Sequence, residues 1–213
     1  MQNLFAFLFQ ADTKKAAPKK AAAPKAGAPK PGAPKATPAD PEAAAIQAIE
    51  KAGGAVRKIA QNDDRQEVDF HLQGASVTDD QIKPVAQLKK VMRVHLGKTS
   101  VTDAGLAHLK SLSADLAELH LELTKVTDAG LAQLKPLANL TYLNLYGTTV
   151  TDAGLDQLMG LSKLKSLYVW QTKVTEAGAK KLKEAIPGVT VDRGWELPPA
   201  PPPKKEEKKE EKK

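Results

Sequence analysis

The sequence contains no cysteine, and only 4% of its 213 residues are aromatic. The missing cysteines exclude a disulfide framework, a thiolate zinc site and a cysteine nucleophile. No stretch approaches the roughly 20 consecutive apolar residues that a membrane span needs. The apolar run at residues 1–11 resembles the hydrophobic part of an export signal, but positive residues do not precede it. We interpret this run as a weak or truncated signal, and both the cell envelope and the cytoplasm stay open as compartments.

Both ends of the chain differ in composition from its middle. Residues 13–41 are almost wholly Lys, Ala, Pro and Gly, and residues 198–213 are a proline run followed by pairs of Lys and Glu. Such segments cannot bury enough apolar surface to offset the entropy of ordering, so both are predicted to be disordered. The predicted organisation is a signal-like and disordered segment (1–41), an N-terminal cap (42–66), a repeat domain with its C-terminal cap (67–197) and a disordered tail (198–213).

The net charge of +7 belongs to the two ends of the chain. Residues 1–41 carry seven Lys and two Asp, residues 198–213 carry six Lys and four Glu, and residues 42–197 are neutral. A basic groove of the kind that nucleic-acid readers present is therefore not predicted on the folded part. The lysine-rich ends have two open interpretations. They are either solvated spacers, or segments that bind polyanions or tether the chain to a cell envelope.

A repeated tripeptide is the strongest signal in the sequence. Val-Thr-Asp or Val-Thr-Glu recurs every 24 or 25 residues, beginning at Val77, Val101, Val126, Val150 and Val174. Around the third copy, the Leu-x-x-Leu-x-Leu of residues 116–121 alternates as in a half-buried strand. Leucines at residues 131–137 then recur at helical spacing, with Thr127 or Asp128 as the predicted N-cap.

One strand–helix unit cannot bury both of its faces, so neighbouring units must stack against each other. The predicted fold class is α/β, a solenoid of five units over residues 67–191. Its strands are all parallel on the concave side, its helices lie on the convex side, and each Val of Val-Thr-Asp is buried.

These residues resemble the leucine-rich repeat, in particular the cysteine-containing subtype of F-box substrate receptors and short bacterial proteins. The resemblance covers residues 67–191 and implies a horseshoe that binds a protein on its concave face. Threonine replaces the Cys or Asn of that subtype at Thr99, Thr124, Thr148 and Thr172. Because a hydroxyl both donates and accepts, these threonines are expected to bond to the turns of adjacent coils. The isolated glycines of the frame favour close packing of coils over a phosphate loop; they are Gly105, Gly130, Gly154 and Gly178.

Polar caps are predicted at both ends of the solenoid. Residues 42–52 have the start and stop signals of a capping helix, followed by a strand at residues 55–60 that turns into the first repeat strand at residues 67–72. At the far end, Pro187-Gly188 is predicted to stop the last helix ahead of a strand at residues 189–191. Trp195 is predicted to cover the final coil.

Side chains that alternate with the apolar strand positions are predicted to point onto the concave face. Aligning the units on the tripeptide predicts three columns of such residues: Asp69, Arg93, Glu118, Tyr142 and Ser166; His71, His95, His120, Asn144 and Tyr168; and Gln73, Gly97, Glu122, Tyr146 and Trp170. Three of the four histidines fall in one column of the first three units. All three tyrosines and one of the two tryptophans fall on the last two units.

The sequence therefore predicts a non-catalytic protein-interaction module, because exposed aromatic clusters tend to mark contact surfaces. An open curved face does not exclude water as catalysis demands, so no enzyme activity is expected. The expected partner is a protein or peptide, the chain is expected to be a monomer, and no cofactor is expected. The predicted binding residues are Tyr142, Tyr146, Tyr168, Trp170, Asn144, His71, His95, His120, Arg93 and Glu118.

Four alternatives stay open at this point. The resemblance to F-box proteins suggests a substrate receptor of a ubiquitin ligase, although residues 13–41 cannot form the F-box helices that such a receptor requires. The lysine-rich ends suggest the tethering role already described. The histidine column suggests a zinc site on ligand identity alone. Finally, the aromatic rings have a purely structural interpretation, in which they stack across neighbouring strands and stiffen the sheet.

Overall fold

The computed structural model describes residues 40–194. The export-like run, the lysine-rich segment, the proline-rich tail and Trp195 lie outside this range, so the predictions made for them stay predictions. None of the helices within it is long and apolar enough to cross a membrane.

The N-terminal cap is a helix followed by a β-hairpin, as the sequence predicts. Helix α1 spans Pro41–Lys51, and the Asp40 carboxylate accepts a hydrogen bond from the Glu42 N–H at 3.2 Å, which caps its first turn. Strands β1 (Ala55–Ala60) and β2 (Asp63–Asp69) pair antiparallel.

The repeats form one seven-stranded sheet whose strands follow chain order, and β2 to β7 are parallel. The remaining strands are β3 (Val91–His95), β4 (Glu118–His120), β5 (Tyr142–Asn144), β6 (Ser166–Tyr168) and β7 (Thr190–Asp192). The helices between them are α2 (Asp79–Ile82), α3 (Asp103–Leu106), α4 (Asp128–Leu131), α5 (Asp152–Asp156) and α6 (Glu176–Ala185). The chain is thus a leucine-rich-repeat solenoid with a parallel sheet on one side and helices on the other.

The helical side is less regular than predicted. Helices α2 to α5 have four or five residues each, and α2, α3 and α4 continue directly into 3-10 turns. Among the helices of the repeats within residues 40–194, only α6, in the last repeat, reaches ten residues.

Leucines and valines from both sides fill the space between the sheet and the helical turns, and most of them are completely buried. The first four tripeptide valines are buried as predicted. Val174, which begins the Val-Thr-Glu tripeptide, is only half-buried, because it belongs to the last coil.

A ladder of aspartate–threonine hydrogen bonds joins consecutive coils, and the sequence analysis did not predict it. The Asp128 carboxylate accepts one bond from the Thr151 N–H at 2.8 Å and a second from the Thr151 hydroxyl at 2.7 Å. The same pair of hydrogen bonds recurs at every other junction between tripeptides: Asp79 with Thr102, Asp103 with Thr127, and Asp152 with Thr175. The tripeptide therefore supplies both the acceptor for the next coil and the donor for the preceding one.

The two ends of the ladder explain where the repeat departs from its own frame. The first coil has no preceding aspartate, and there Gln81 replaces the frame glycine and accepts both bonds of Thr78, at 2.9 and 2.5 Å. The last tripeptide has Glu176 in place of Asp, and no later tripeptide follows it to donate to a carboxylate. The departures thus lie where the ladder has no partner.

The expectation for the threonines that replace cysteine is wrong. The Thr124 hydroxyl donates to the Leu121 carbonyl of its own coil at 2.7 Å, and Thr99, Thr148 and Thr172 do the same in theirs. These side chains close the turn after each strand. At the tripeptides, the side-chain hydrogen bonds between coils come from the aspartates instead.

The frame glycines lie against the ladder, which confirms the interpretation of close packing. A Cβ atom on Gly154 would collide with the Asp128 Oδ1 atom and crowd Leu131 and Val150.

We expect Gly154→Ala to lower the free energy of unfolding by about 2 kcal/mol, since overpacking a tight site costs about 1–3 kcal/mol. Gly160 is the matched control, because a Cβ there meets no atom within 4 Å. Chemical denaturation of both variants measures the difference, and equal stability would contradict the packing account.

Candidate functional site

The strand register defines three columns of side chains on the concave face. The central column is Asp69, His95, His120, Asn144, Tyr168 and Asp192. The proximal column, two residues earlier on each strand, is Glu67, Arg93, Glu118, Tyr142, Ser166 and Thr190. The distal column, two residues after the central one, is Gly97, Glu122, Tyr146 and Trp170, and backbone hydrogen bonds continue the parallel pairing through it.

The predicted place of His71 in the central column is wrong, because Asp69 pairs with His95 there. The first unit has two more residues between its strand and its tripeptide than the later units have. Strand β2 accordingly ends at Asp69, not at Leu72 as predicted. His71 lies in a 3-10 turn, where its Nδ1 atom is 2.5 Å from Asp69 Oδ1. Leu72 in the same turn is 78% exposed.

Two histidines remain in the column and stack on each other. The rings of His95 and His120 are stacked nearly parallel with their centroids 3.9 Å apart, whereas the ring of His71 lies 6.3 Å from that of His95 and is tilted. Burial, together with the nearby His95, lowers the pKa of His120 to about 4. His120 is therefore neutral at physiological pH. Within residues 40–194 no group of three or more His, Asp or Glu side chains is arranged to hold a metal ion.

Two further predicted binding residues, Arg93 and Glu118, form an ion-pair network with Glu67. The Arg93 Nε atom donates to Glu118 at 2.6 Å, and its Nη1 atom donates to Glu67 at 3.0 Å. The hydrogen bond with Glu118 is the main reason that the pKa of Arg93 is raised, and the same bond holds the pKa of Glu118 below its usual value. Both charges are thus neutralised within the N-terminal half of the face.

The four aromatic residues lie on the C-terminal half of the face in two arrangements. Tyr142 lies between His120 and Tyr168, with ring-centroid distances of 4.7 and 5.3 Å, and its burial raises its pKa. Tyr146 and Trp170 pair in the distal column at 5.4 Å with their rings tilted by 41°. Tyr168 is 36% exposed and Trp170 51% exposed. Tyr142 is therefore largely part of the stack, whereas Tyr168 and Trp170 present their rings to solvent.

A pocket of about 550 Å³ lies between these rings and the last strand. Its walls are Asn144, Tyr146, Tyr168, Trp170, Asp192 and Gly194. The indole of Trp170 packs so closely on Gly194 that a Cβ atom there would overlap the ring. Asp192 and Gly194 were missed by the sequence analysis. Asp192 could have been found by extending the central column into the terminal strand.

Asn144 shapes the pocket through a hydrogen bond between its side chain and the backbone of Tyr146. Its Oδ1 atom accepts a hydrogen bond from the Tyr146 N–H at 3.0 Å, and Asp192 accepts one in the same way from the Gly194 N–H at 2.7 Å. These side chains fix the turns that carry Tyr146 and Gly194. Asn144 is therefore first a positioning residue for the aromatic pair.

Leu123 extends the apolar surface beside the pocket, and the repeat frame gave no reason to expect it there. It follows Glu122 in the chain, has a backbone φ of 55° and is 44% exposed. Its side chain fills the space next to Gly147, so that it borders the turn that follows Tyr146.

No protein-family model and no curated protein matches the chain. Among solved structures, it is similar to an internalin of Listeria monocytogenes, with 18% identity and a TM-score of 0.46, over 54% of this chain and 32% of that one. It thus spans about a third of that internalin. A leucine-rich-repeat protein of Leptospira interrogans is 20% identical over 52% of this chain and 33% of its own, with a TM-score of 0.38. The leucine-rich-repeat ectodomain of the receptor kinase SOBIR1 from Arabidopsis thaliana is 14% identical over 71% of this chain and 90% of its own, with a TM-score of 0.46. The leucine-rich-repeat fold of this chain rests on its own strands and helices.

Proposed function

We propose that the chain is a non-catalytic protein-interaction module that binds a peptide segment of a partner in the aromatic pocket. The observation that carries this proposal is the pocket of about 550 Å³ walled by Tyr146, Tyr168 and Trp170, two of which expose a third or more of their surface. Aromatic rings supply a large contact area and lose little rotamer entropy on binding, so they are effective anchors for a peptide.

The two halves of the concave face have different roles in this proposal. In the N-terminal half, Arg93 is paired with both Glu118 and Glu67, which leaves one net negative charge, and the histidine stack is partly buried. In the C-terminal half, no hydrogen bond between described residues uses the Trp170 indole N–H or the hydroxyls of Tyr146 and Tyr168. These groups can therefore donate to the backbone carbonyls of a bound peptide. We place the binding energy in the C-terminal half.

The other interpretations have less support. No feature of residues 40–194 favours a substrate receptor of a ubiquitin ligase over another protein-binding role. Tethering through the lysine-rich ends concerns segments outside the described range. Stacking for stiffness accounts for Tyr142, which contacts rings on both sides, but leaves the exposure of Trp170 unexplained.

Removal of the Trp170 side chain should weaken partner binding at least tenfold. Truncating a central aromatic anchor typically costs on the order of 2 kcal/mol, and 1.4 kcal/mol corresponds to a factor of ten in affinity. The full-length chain serves as bait to capture a partner from the source cells, and the affinity of that partner is then measured for wild type and Trp170→Ala.

His108→Ala is the control, because His108 lies on the helical side in the 3-10 segment Ala107–Leu112. It should bind like wild type, and circular dichroism should show that both variants are folded. Equal binding by Trp170→Ala and His108→Ala would place the interface outside the aromatic pocket.

A further inference from the structure

The pocket lies where the chain leaves the described structure. Gly194 is the last described residue and forms part of the pocket wall, in contact with the Trp170 indole. The chain continues with the sequence Trp-Glu-Leu and then with the proline run of residues 198–203, Pro-Pro-Ala-Pro-Pro-Pro, followed by Lys204 and Lys205. A proline-rich segment thus begins within four residues of an aromatic pocket.

The chemistry of the pocket suits a polyproline segment. Proline-rich peptides form an extended helix with little entropy left to lose, and they dock into grooves lined by aromatic rings. Such a helix makes no internal hydrogen bonds, so its carbonyls need external donors. The Trp170 indole and the hydroxyls of Tyr146 and Tyr168 are available as donors among the described residues.

A carboxylate with one oxygen that lacks a hydrogen-bond partner among the described residues lies at the far end of the aromatic pair. Glu122 precedes Tyr146 in the distal column, and its buried Oε2 atom has no hydrogen-bond partner within residues 40–194. The nearest cationic candidate, His120 Nδ1, is 3.9 Å away, and the pKa of His120 near 4 keeps that ring neutral. A lysine ammonium ion at this place would satisfy the carboxylate by charge and by hydrogen bonding.

The length of the tail fits the path from Gly194 to Glu122. Neighbouring strands lie about 4.8 Å apart, so crossing from the last strand to Glu122 takes about 14 Å. Six residues of polyproline helix, at about 3.1 Å each, cover about 19 Å. Residues 198–203 are therefore long enough to pass over Trp170 and Tyr146 and to bring Lys204 or Lys205 to Glu122.

We infer that the segment Pro198–Pro203 of the same chain occupies the aromatic pocket, with Lys204 or Lys205 at Glu122, and competes there with an external partner. This inference rests on the proposed function, because it assigns the regulation of that same pocket. The short tether favours this occupant, since it sets an effective concentration in the millimolar range. The prolines of residues 13–41 include no such run, and that segment joins the solenoid at its opposite end.

A competition experiment on the full-length chain tests this inference. The probe is a fluorescent peptide with the sequence of residues 197–205, and its binding is followed by fluorescence anisotropy. In the tail variant, five prolines are replaced by serine: Pro198→Ser, Pro199→Ser, Pro201→Ser, Pro202→Ser and Pro203→Ser. We expect the tail variant to bind the peptide at least about tenfold more tightly than wild type, because the tethered segment no longer competes.

Two matched controls accompany the tail variant. Serine at five prolines of the other end should leave the affinity at the wild-type value: Pro18→Ser, Pro24→Ser, Pro29→Ser, Pro31→Ser and Pro34→Ser. Adding Trp170→Ala or Glu122→Gln to the tail variant should reduce its gain in affinity. Sedimentation velocity at several concentrations shows whether the occupant comes from the same chain.

Several results would overturn the inference. Equal affinity in wild type and the tail variant would mean that the tail does not occupy the pocket, and a gain that survives Trp170→Ala would place the peptide elsewhere. Self-association of the wild type that the tail variant loses would identify a second copy as the occupant. An absence of peptide binding to every variant would also overturn it. The proposed function would stand in that case if Trp170→Ala still weakened binding of the captured partner.

Discussion

Asp128→Ala should lower the free energy of unfolding by about 3 kcal/mol. Asp128 accepts two hydrogen bonds from Thr151. A hydrogen bond to a charged group contributes about 1.5–3 kcal/mol. Because these two bonds are only partly buried, we take the lower value for each, which gives about 3 kcal/mol for the pair. The Thr151 N–H would also lose its acceptor between two coils. Urea denaturation followed by circular dichroism measures the change.

Two other substitutions distinguish the loss of the aspartate–threonine hydrogen bonds from the loss of a negative charge in general. Asp156→Ala removes an ion pair with Lys181 in which both side chains are largely exposed, at 42% and 60%, and such pairs contribute about 0–1 kcal/mol. Asp128→Asn keeps an oxygen acceptor and should recover part of the lost stability. If Asp128→Ala and Asp156→Ala had the same small effect, the ladder would not be what joins the coils.

Acidification from pH 7 to pH 4 should remove about 3 kcal/mol of stability through His120 alone. The pKa of this histidine is about 4 in the folded state, against the ordinary pKa of 6.5 for a histidine side chain. A base with a lowered folded pKa binds its proton more weakly in the folded state, so its contribution is complete above pH 6.5 and is lost as the pH falls toward 4. Each pH unit within that window changes the free energy of unfolding by about 1.4 kcal/mol.

The window between pH 6.5 and 5 isolates this histidine from the carboxylates. Asp69 and Glu118 also have lowered pKa values, and their contributions are lost at more acidic pH. His120→Gln should flatten the dependence of stability on pH in the upper window, whereas His108→Gln should preserve the wild-type slope. A wild-type slope in His120→Gln would show that burial of the His120 ring does not cause the effect.

Most of the fold could be predicted because the same pattern of buried and exposed positions recurs in every unit. The alternation before each tripeptide specifies a half-buried strand, and leucines at helical spacing specify the opposite face. The caps followed from local signals, such as Asp40 ahead of Pro41 and the glycine pair after α1. The helical side was predicted without its 3-10 turns, because leucine spacing does not distinguish one α-turn extended by 3-10 turns from a regular helix.

The site was predicted only in part, and the error at His71 shows why. Alignment on the tripeptide assumes that the segment between strand and tripeptide has constant length, but the first unit has two additional residues there. The register of each strand is set by backbone pairing, and the position of the tripeptide does not determine which residues pair. Later units keep the constant length, so Tyr142, Asn144 and Tyr168 were assigned correctly to their columns.

The aspartate–threonine ladder was missed for a different reason. Asp128 was considered as a helix cap, which is its most common local role, whereas its partner is Thr151 in the next coil. The departure of the first unit from the repeat pattern could have indicated the ladder. Gln81 replaces the frame glycine where no preceding aspartate exists, and this exchange indicates that aspartate and glycine share one space.

The central claim is that a partner binds in the aromatic pocket, and chemical-shift mapping with the captured partner tests it most directly. Isotope-labelled full-length chain is titrated with unlabelled partner while the Trp170 indole N–H and the backbone amides are followed. The account predicts the largest shifts at Trp170, Tyr146 and Tyr168, with little change in the helices on the other side of the sheet. Shifts confined to those helices, or to residues outside 40–194, would contradict it.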